Sequence, residues 1–351
     1  MALDLGMAQI SQMAFGYWQA QALFAAVRTG VFDALAGGSL TVEKAAAACA
    51  LPEDSALRLL DACVALRLLT RSADGEYANT PHAQRLLTEG SAESVTRWVK
   101  VMARWYEPWG GVTQALQDGQ PVEERRLRLG DDEEYAADFI LGMHEYNSRS
   151  ATALAQLIPQ QGAGTLVDVG GGAGTYSIAF CGQWPGLTGE VIDLPAVLPL
   201  TERTVARAGL ADRIRVRAGD YYTDRFGSGV DVVLLSNVLH QESPEAALDI
   251  LRRAREALSE SGRVLVHGHF LDETRTAPLF TTLHNLSALA LWDGGRSYTV
   301  AEMVELMRRA GLTDVEVVQA PEASAKLLVG TVGTVGSVGT PPGADGSHER
   351  A

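Results

Sequence analysis

The segment Asp168-Val169-Gly170-Gly171-Gly172-Ala173-Gly174 stands between an apolar run and a helical pattern. Glycine there permits backbone angles and a close ligand approach that a Cβ would forbid. Further on, Asp193 closes the apolar stretch VIDLP, at the spacing where an acidic strand end accepts hydrogen bonds from ribose hydroxyls. Gly219-Asp220-Tyr221 follows one stretch later and sets an acceptor for an adenine amino group beside an aromatic ring. Three strand ends in succession line one crevice at the carboxyl edge of a sheet, where open α/β sheets bind ligands. His240 ends a further apolar run, VDVVLLSNVLH, and an imidazole so placed is suited to proton transfer near neutral pH.

Those strand ends need a sheet to hold them. TLVDVGGGAGTYSIAF, GEVIDLP, IRVRAGDYY, VDVVLLSNVLH, GRVLVHGHF and KLLVGTV are short apolar runs, most of them separated by helical patterns. That alternation predicts a largely parallel sheet covered by helices over residues 160–330. Ahead of it, residues 1–100 read as a winged helix. Met7 to Ala36 is helical, with Phe15, Trp18, Ala22, Leu23 and Val27 on one packing stripe. Thr41 caps TVEKAAAACA, Pro52-Glu53-Asp54-Ser55 opens a second helix, and TRSADGEYANT turns as a hairpin. Residues 101–159 read as a helical linker expected to contribute to a small-molecule pocket, and Trp98, Trp105, Tyr106, Trp109 and the later Trp292 supply rings for packing or for that pocket. The Gly-, Pro- and Ser-rich tail, 331–351, carries too little apolar content to order itself.

A chain of 351 residues with 46% hydrophobic content has enough apolar material for two cores. Its net charge of −14 would repel a phosphate backbone, which disfavours nucleic acid as a partner. The winged helix raises a regulator that binds DNA and senses a ligand, but SALRLLDACVALRLL has two arginines among apolar residues and reads as a packing element. Cys49, Cys63 and Cys181 show no CxxC spacing and read as buried thiols of a reducing compartment. No signal peptide and no apolar run long enough for a bilayer is found, so a cytoplasmic protein with no membrane partner is expected.

LVDVGGGAGTYS, VIDLP, GDYY, LLSNVLHQESPEAALDILRRAREAL and GGRSYTVAEMVELMRRAGL resemble the winged-helix small-molecule O-methyltransferase family of plant caffeate-type and bacterial antibiotic-pathway enzymes. A nicotinamide dehydrogenase is the rival, disfavoured because the glycine turn comes late, behind a winged helix. The resemblance implies an α/β fold: a Rossmann-like class I methyltransferase domain behind an N-terminal, mainly helical winged-helix dimerisation domain. It implies S-adenosylmethionine as donor, held by Gly170, Gly172, Asp193, Asp220 and Tyr221 with Asp168 at the head of the turn, a small-molecule acceptor, and a homodimer interlocked through the N-terminal helices. His240 matches the family's general base, which takes the proton of a phenol or alcohol as its oxygen attacks the methyl group.

The chain departs from that family at three places: Gln241 replaces the usual Asp after the base, Gly268 stands where many members are acidic, and Ser297 replaces a Glu. Histidines appear instead, at His144, His269 and His284; strand alternation is taken to send His267 to the face opposite His269. The favoured reading is that His240, Gln241 and His284 hold one divalent metal, zinc or iron. Such a pocket resembles the 2-oxo acid C-methyltransferases of the same family, in which the acceptor chelates the metal and its β-carbon is methylated through an enolate. His144 is then the candidate base, and Arg104 or Arg149 a partner for a substrate carboxylate. O-methylation of a hydroxylated acceptor by His240 is the alternative, and a non-methylating relative that keeps the cofactor for structure is a third.

Overall fold

The computed structural model describes residues 6–122, 132–158, 164–320 and 325–332. Nearly all of the expected tail, from residue 333, lies outside the described residues.

Helix α1 (Met7–Arg28) stops at Gly30, whose φ of 73° only glycine takes without strain, and the short α2 (Val31–Ala34) follows. Thr41 accepts a hydrogen bond from the Lys44 amide and starts α3 (Val42–Ala48), as its type predicts. After α4 (Glu53–Ala65), strands β1 (Leu69–Arg71) and β2 (Tyr77–Asn79) form the antiparallel wing, extended by a bridge from Leu40 to Tyr77, and α5 (Pro81–Leu86) closes the unit. Its core is built on Phe32, Leu60, Leu69 and Tyr77. Phe15 and Trp18 do not join that core: they are 50% and 56% exposed, and only Ala26 and Val27 of α1 are buried. The inward stripe expected for the whole helix therefore holds for its last turns alone.

Helix α6 (Thr96–Gly110), α7 (Val112–Asp118) and α8 (Glu133–Leu157) link the wing to the sheet. α6 and α8 cross so closely that a Cβ on Gly142 would lie 2.8 Å from the Trp98 nitrogen. At the crossing, Glu145 Oε2 accepts from the Arg97 and Trp98 amides at 3.1 and 3.4 Å, satisfying orphan N–H groups of the first turn of α6. Arg97 also donates to Asp138 at 2.7 Å, and Trp98 stacks on Tyr146.

The second unit runs β3 (Gly164–Val169), α9 (Thr175–Gln183), β4 (Leu187–Asp193), α10 (Leu198–Arg207), β5 (Ile214–Ala218), β6 (Val230–Ser236), a 3-10 turn at Leu239–Gln241, α11 (Pro244–Ala257), β7 (Leu258–His269), α12 (Leu279–Leu291), α13 (Val300–Arg309), β8 (Thr313–Gln319) and β9 (Ala325–Thr331). Strand order is β5-β4-β3-β6-β7-β9-β8, with β9 antiparallel to both neighbours and the rest parallel. The order reverses at β3, between β4 and β6, which is where an open sheet leaves a crevice. One apolar core packs on each face, and along β7 Val264 and Val266 enter one while Leu265 enters the other. His267 and His269 are two residues apart and so share a face, contrary to the expectation that they diverge; their rings are close enough for one to depress the other's basicity. β8 stands outside the apolar runs of the sequence: it is an edge strand whose TDVEVVQ is exposed at five of seven positions, with only Val315 and Val318 partly covered. Cys63 and Cys181 are buried free thiols pushed up to about 11 by desolvation, whereas Cys49 is half-buried. No helix among the described residues is long and apolar enough to cross a membrane.

Candidate active site

The glycine turn between β3 and α9 takes φ of 66° at Gly170, 56° at Gly172 and 75° at Gly174. A Cβ on Gly172 would meet nothing closer than Ile140 Cδ1 at 3.8 Å, so the turn opens on room for a ligand. A Cβ on Gly170 would come within 3.0 Å of Val238, and the Tyr221 ring lies just beyond at 3.7 Å. Asp193, at the end of β4, accepts the Gly172 amide at 2.7 Å and the Leu194 amide at 2.7 Å. Each carboxylate oxygen keeps further acceptor capacity for a ribose hydroxyl. Asp220 accepts the Tyr222 amide at 2.8 Å, and the Tyr221 hydroxyl donates to the buried Glu242 at 2.7 Å, fixing that ring beside the turn. Asp168 stands behind the turn: it is 1% exposed, accepts the Ser177 hydroxyl at 2.9 Å, and burial pushes its carboxyl up to about 6. A room-bearing glycine turn, two carboxylates and a held aromatic ring fit the adenosyl part of S-adenosylmethionine.

Beyond the end of β6 three imidazoles meet. His240 on the 3-10 turn lies edge-to-face with His284 of α12, ring centroids 4.7 Å apart, and His269, the last residue of β7, is 6.5 Å from His284. Trp292 is 5.3 Å from His240, and Phe280 is 4.8 Å from His269. Burial pulls His284 and His269 down to about 4, so both are neutral at pH 7, each with one donor and one acceptor nitrogen. Gln241, expected beside His240 and His284 as a metal ligand, donates its side-chain amide to the Asn237 carbonyl at 3.2 Å. Among the described residues no group of three or more His, Cys, Asp or Glu is placed to hold a metal ion.

The other expected participants are dispersed. His144 meets Thr175 at 2.9 Å, beside the glycine turn, with its basicity lowered by burial. His267 bonds Ser236 at 2.9 Å and leans on Tyr176; desolvation and then His269 pull it down to about 3. Arg104 donates to Asp132 at 2.6 Å and Arg149 pairs with Glu93, so carboxylates of this chain already hold both guanidinium groups. Of the aromatic run, Trp105 meets Trp292 edge-on at 5.8 Å and Trp109 donates to Ser287 at 3.1 Å, which carries α6 onto α12. Sequence reasoning does not single out Phe280 or Tyr176, because only the packing of α12 and α9 brings them to histidines.

Comparison with known proteins agrees in both halves. A model of the O-methyltransferase domain matches residues 127–313, and one of the O-methyltransferase dimerisation domain matches residues 11–89. The 3-hydroxy-5-methyl-1-naphthoate 3-O-methyltransferase of Streptomyces sahachiroi is 33% identical over 328 residues, covering 92% of this chain and 94% of that one. The L-tyrosine C(3)-methyltransferase of Streptomyces lavendulae is 31% identical over 216 residues, 59% of either chain. The crystal structure of human N-acetylserotonin methyltransferase in complex with its methyl donor superposes with a TM-score of 0.85 at 28% identity, over 95% of this chain and 100% of that one.

Proposed function

Because the chain belongs to the O-methyltransferase family and is an S-adenosylmethionine-dependent methyltransferase of specialised metabolism, we propose that it methylates the hydroxyl of a small aromatic acceptor. His240 carries this reading: it sits on the 3-10 turn that follows β6 and faces the neutral His284 imidazole, ring centroids 4.7 Å apart. When bound, the cofactor supplies an electrophilic methyl group. His240 takes the proton of the acceptor hydroxyl as the oxygen attacks. The flanking His269 and His284 stay uncharged and offer hydrogen bonds to the acceptor's remaining oxygens. Trp105, Trp109, Trp292 and Phe280 wall the pocket and exclude water. A naphthoate relative makes a fused-ring hydroxy acid the natural first acceptor to try, and pairing of two copies through α1 completes the enzyme. His240→Ala is expected to lower turnover by ~10²–10⁴-fold with S-adenosylhomocysteine binding unchanged. Turnover near that of the wild type would remove His240 as the base.

A second reading has support of its own in the two neighbouring imidazoles of His240 and His284 and in a relative that methylates carbon. In it His240, Gln241 and His284 hold zinc or iron, the acceptor is a 2-oxo acid methylated at its β-carbon, and His144 serves as base. A glutamine ligand would coordinate through Oε1, whereas Gln241 places its amide nitrogen on the Asn237 carbonyl, and among the described residues no group of three or more His, Cys, Asp or Glu is placed to hold a metal ion. Metal content of the purified protein, with transfer assayed on a 2-oxo acid before and after chelation, separates the readings: stoichiometric metal and chelator-sensitive carbon methylation would displace the hydroxyl acceptor.

A further inference from the structure

The segment Gly294–Ser297 touches both imidazole-bearing elements at once. Gly294, at φ 71°, packs so tightly on Ser243 that a Cβ would approach it to 3.1 Å. A Cβ on Gly295 would lie 2.7 Å from Trp292 and 3.4 Å from the His240 carbonyl. The next amide, of Arg296, donates to that same His240 carbonyl at 2.9 Å. Ser297 is fully buried; its amide donates to Asn285 Oδ1 at 2.8 Å, one residue past His284 on α12, and its carbonyl accepts from Arg275 at 3.4 Å. Its hydroxyl lies 3.3 Å from His284 Nδ1.

We propose that Ser297 is a positioning residue of the acceptor site: by holding Nδ1 of His284 it presents the Nε2 edge of that ring to the pocket. A neutral imidazole has two tautomers of similar energy; the Ser297 hydroxyl fixes the ring's orientation with either, donating to Nδ1 or accepting from it, and favours one of them according to where its own proton is held. The residue type matters as much as the place. A carboxylate here would draw a proton onto the ring and charge it, whereas a hydroxyl orients the ring and leaves it neutral, as its burial requires. With the backbone on either side pinned by Asn285 and Arg275, the hydroxyl has little freedom to leave.

The inference rests on the reading of the imidazole cluster as the acceptor site, and the test keeps the two apart. Carbon-13 histidine NMR on the full chain with S-adenosylhomocysteine bound reports the His284 tautomer directly, and with seven histidines each signal is assigned by single substitution. One tautomer is expected in the wild type and in Ser297→Thr, and a mixture in Ser297→Ala. With a hydroxynaphthoate as probe, Ser297→Ala should lose at least tenfold in kcat with S-adenosylhomocysteine affinity unchanged, and Ser297→Thr should recover most of it. An unchanged tautomer in Ser297→Ala overturns the proposal whatever the turnover. If His284→Ala turns over as the wild type does, the reading of the cluster fails instead.

Discussion

His267, His269 and His284 each sit below the ordinary imidazole value, at about 3, about 4 and about 4, with desolvation the leading cause. The unfolded chain therefore binds protons at pH values where the folded chain does not. Their effect on stability is absent above the unfolded value near 6.5 and destabilises increasingly as pH falls from there toward about 4, by up to ~1.4 kcal/mol per pH unit for each histidine. His267→Asn keeps a group able to bond Ser236 but cannot take up the proton. Thermal melts at pH 7 and pH 5 should show a smaller acid loss for His267→Asn than for the wild type, and equal losses would show that His267 titrates without penalty.

At the scale of elements, the crossing of α6 and α8 hangs on Glu145. Burial pushes its carboxyl up to about 7, so the folded chain holds this proton more tightly than the unfolded one. Stability from Glu145 is therefore present at low pH and falls as pH rises from about 4.5 to about 7, opposite in sign to the histidines. Glu145→Gln should remove that slope while still accepting the Arg97 and Trp98 amides, and Glu145→Ala, which uncaps α6, should cost ~1–2 kcal/mol. Urea unfolding at pH 5 and pH 7 distinguishes the two variants. Much of this architecture was legible in the sequence where the signal is local: the glycine turn, Asp193 at its strand end, Thr41 as a cap and the hairpin of the wing. What escaped is tertiary. β8 is an edge strand with no buried face to give it an apolar period. His267 and His269 share a face because a two-residue repeat along the strand keeps them together, not apart as expected. The rings of Phe280 and Tyr176 reach histidines only through helix packing, and the Gln241 amide turned to a backbone carbonyl that no spacing announces.

For the whole molecule, the exposed apolar residues in the first turns of α1 matter most. Met7, Ile10, Met13, Phe15, Tyr17 and Trp18 are all at least half exposed, in a segment that belongs largely to the dimerisation domain. Apolar surface of that kind is normally covered by a partner. Trp18→Asp is expected to shift light-scattering mass toward the monomer at micromolar concentration and to lower the melting temperature; an undisturbed dimer would place the interface elsewhere.

Helix α6 gives that interface a reach beyond its own surface. One end of the helix is fastened at Glu145 beside the wing, and the other puts Trp105 and Trp109 against Trp292 and Ser287, the side of α12 that the proposed function gives to the acceptor. The fifteen-residue helix is thus a lever with its fulcrum at the domain junction. If subunit separation lets the wing shift, the far arm withdraws two rings from the pocket and admits solvent to the reacting oxygen. Specific activity should then decline on dilution below the dimer's dissociation constant, while affinity for the methyl donor, whose glycine turn the lever does not touch, stays constant.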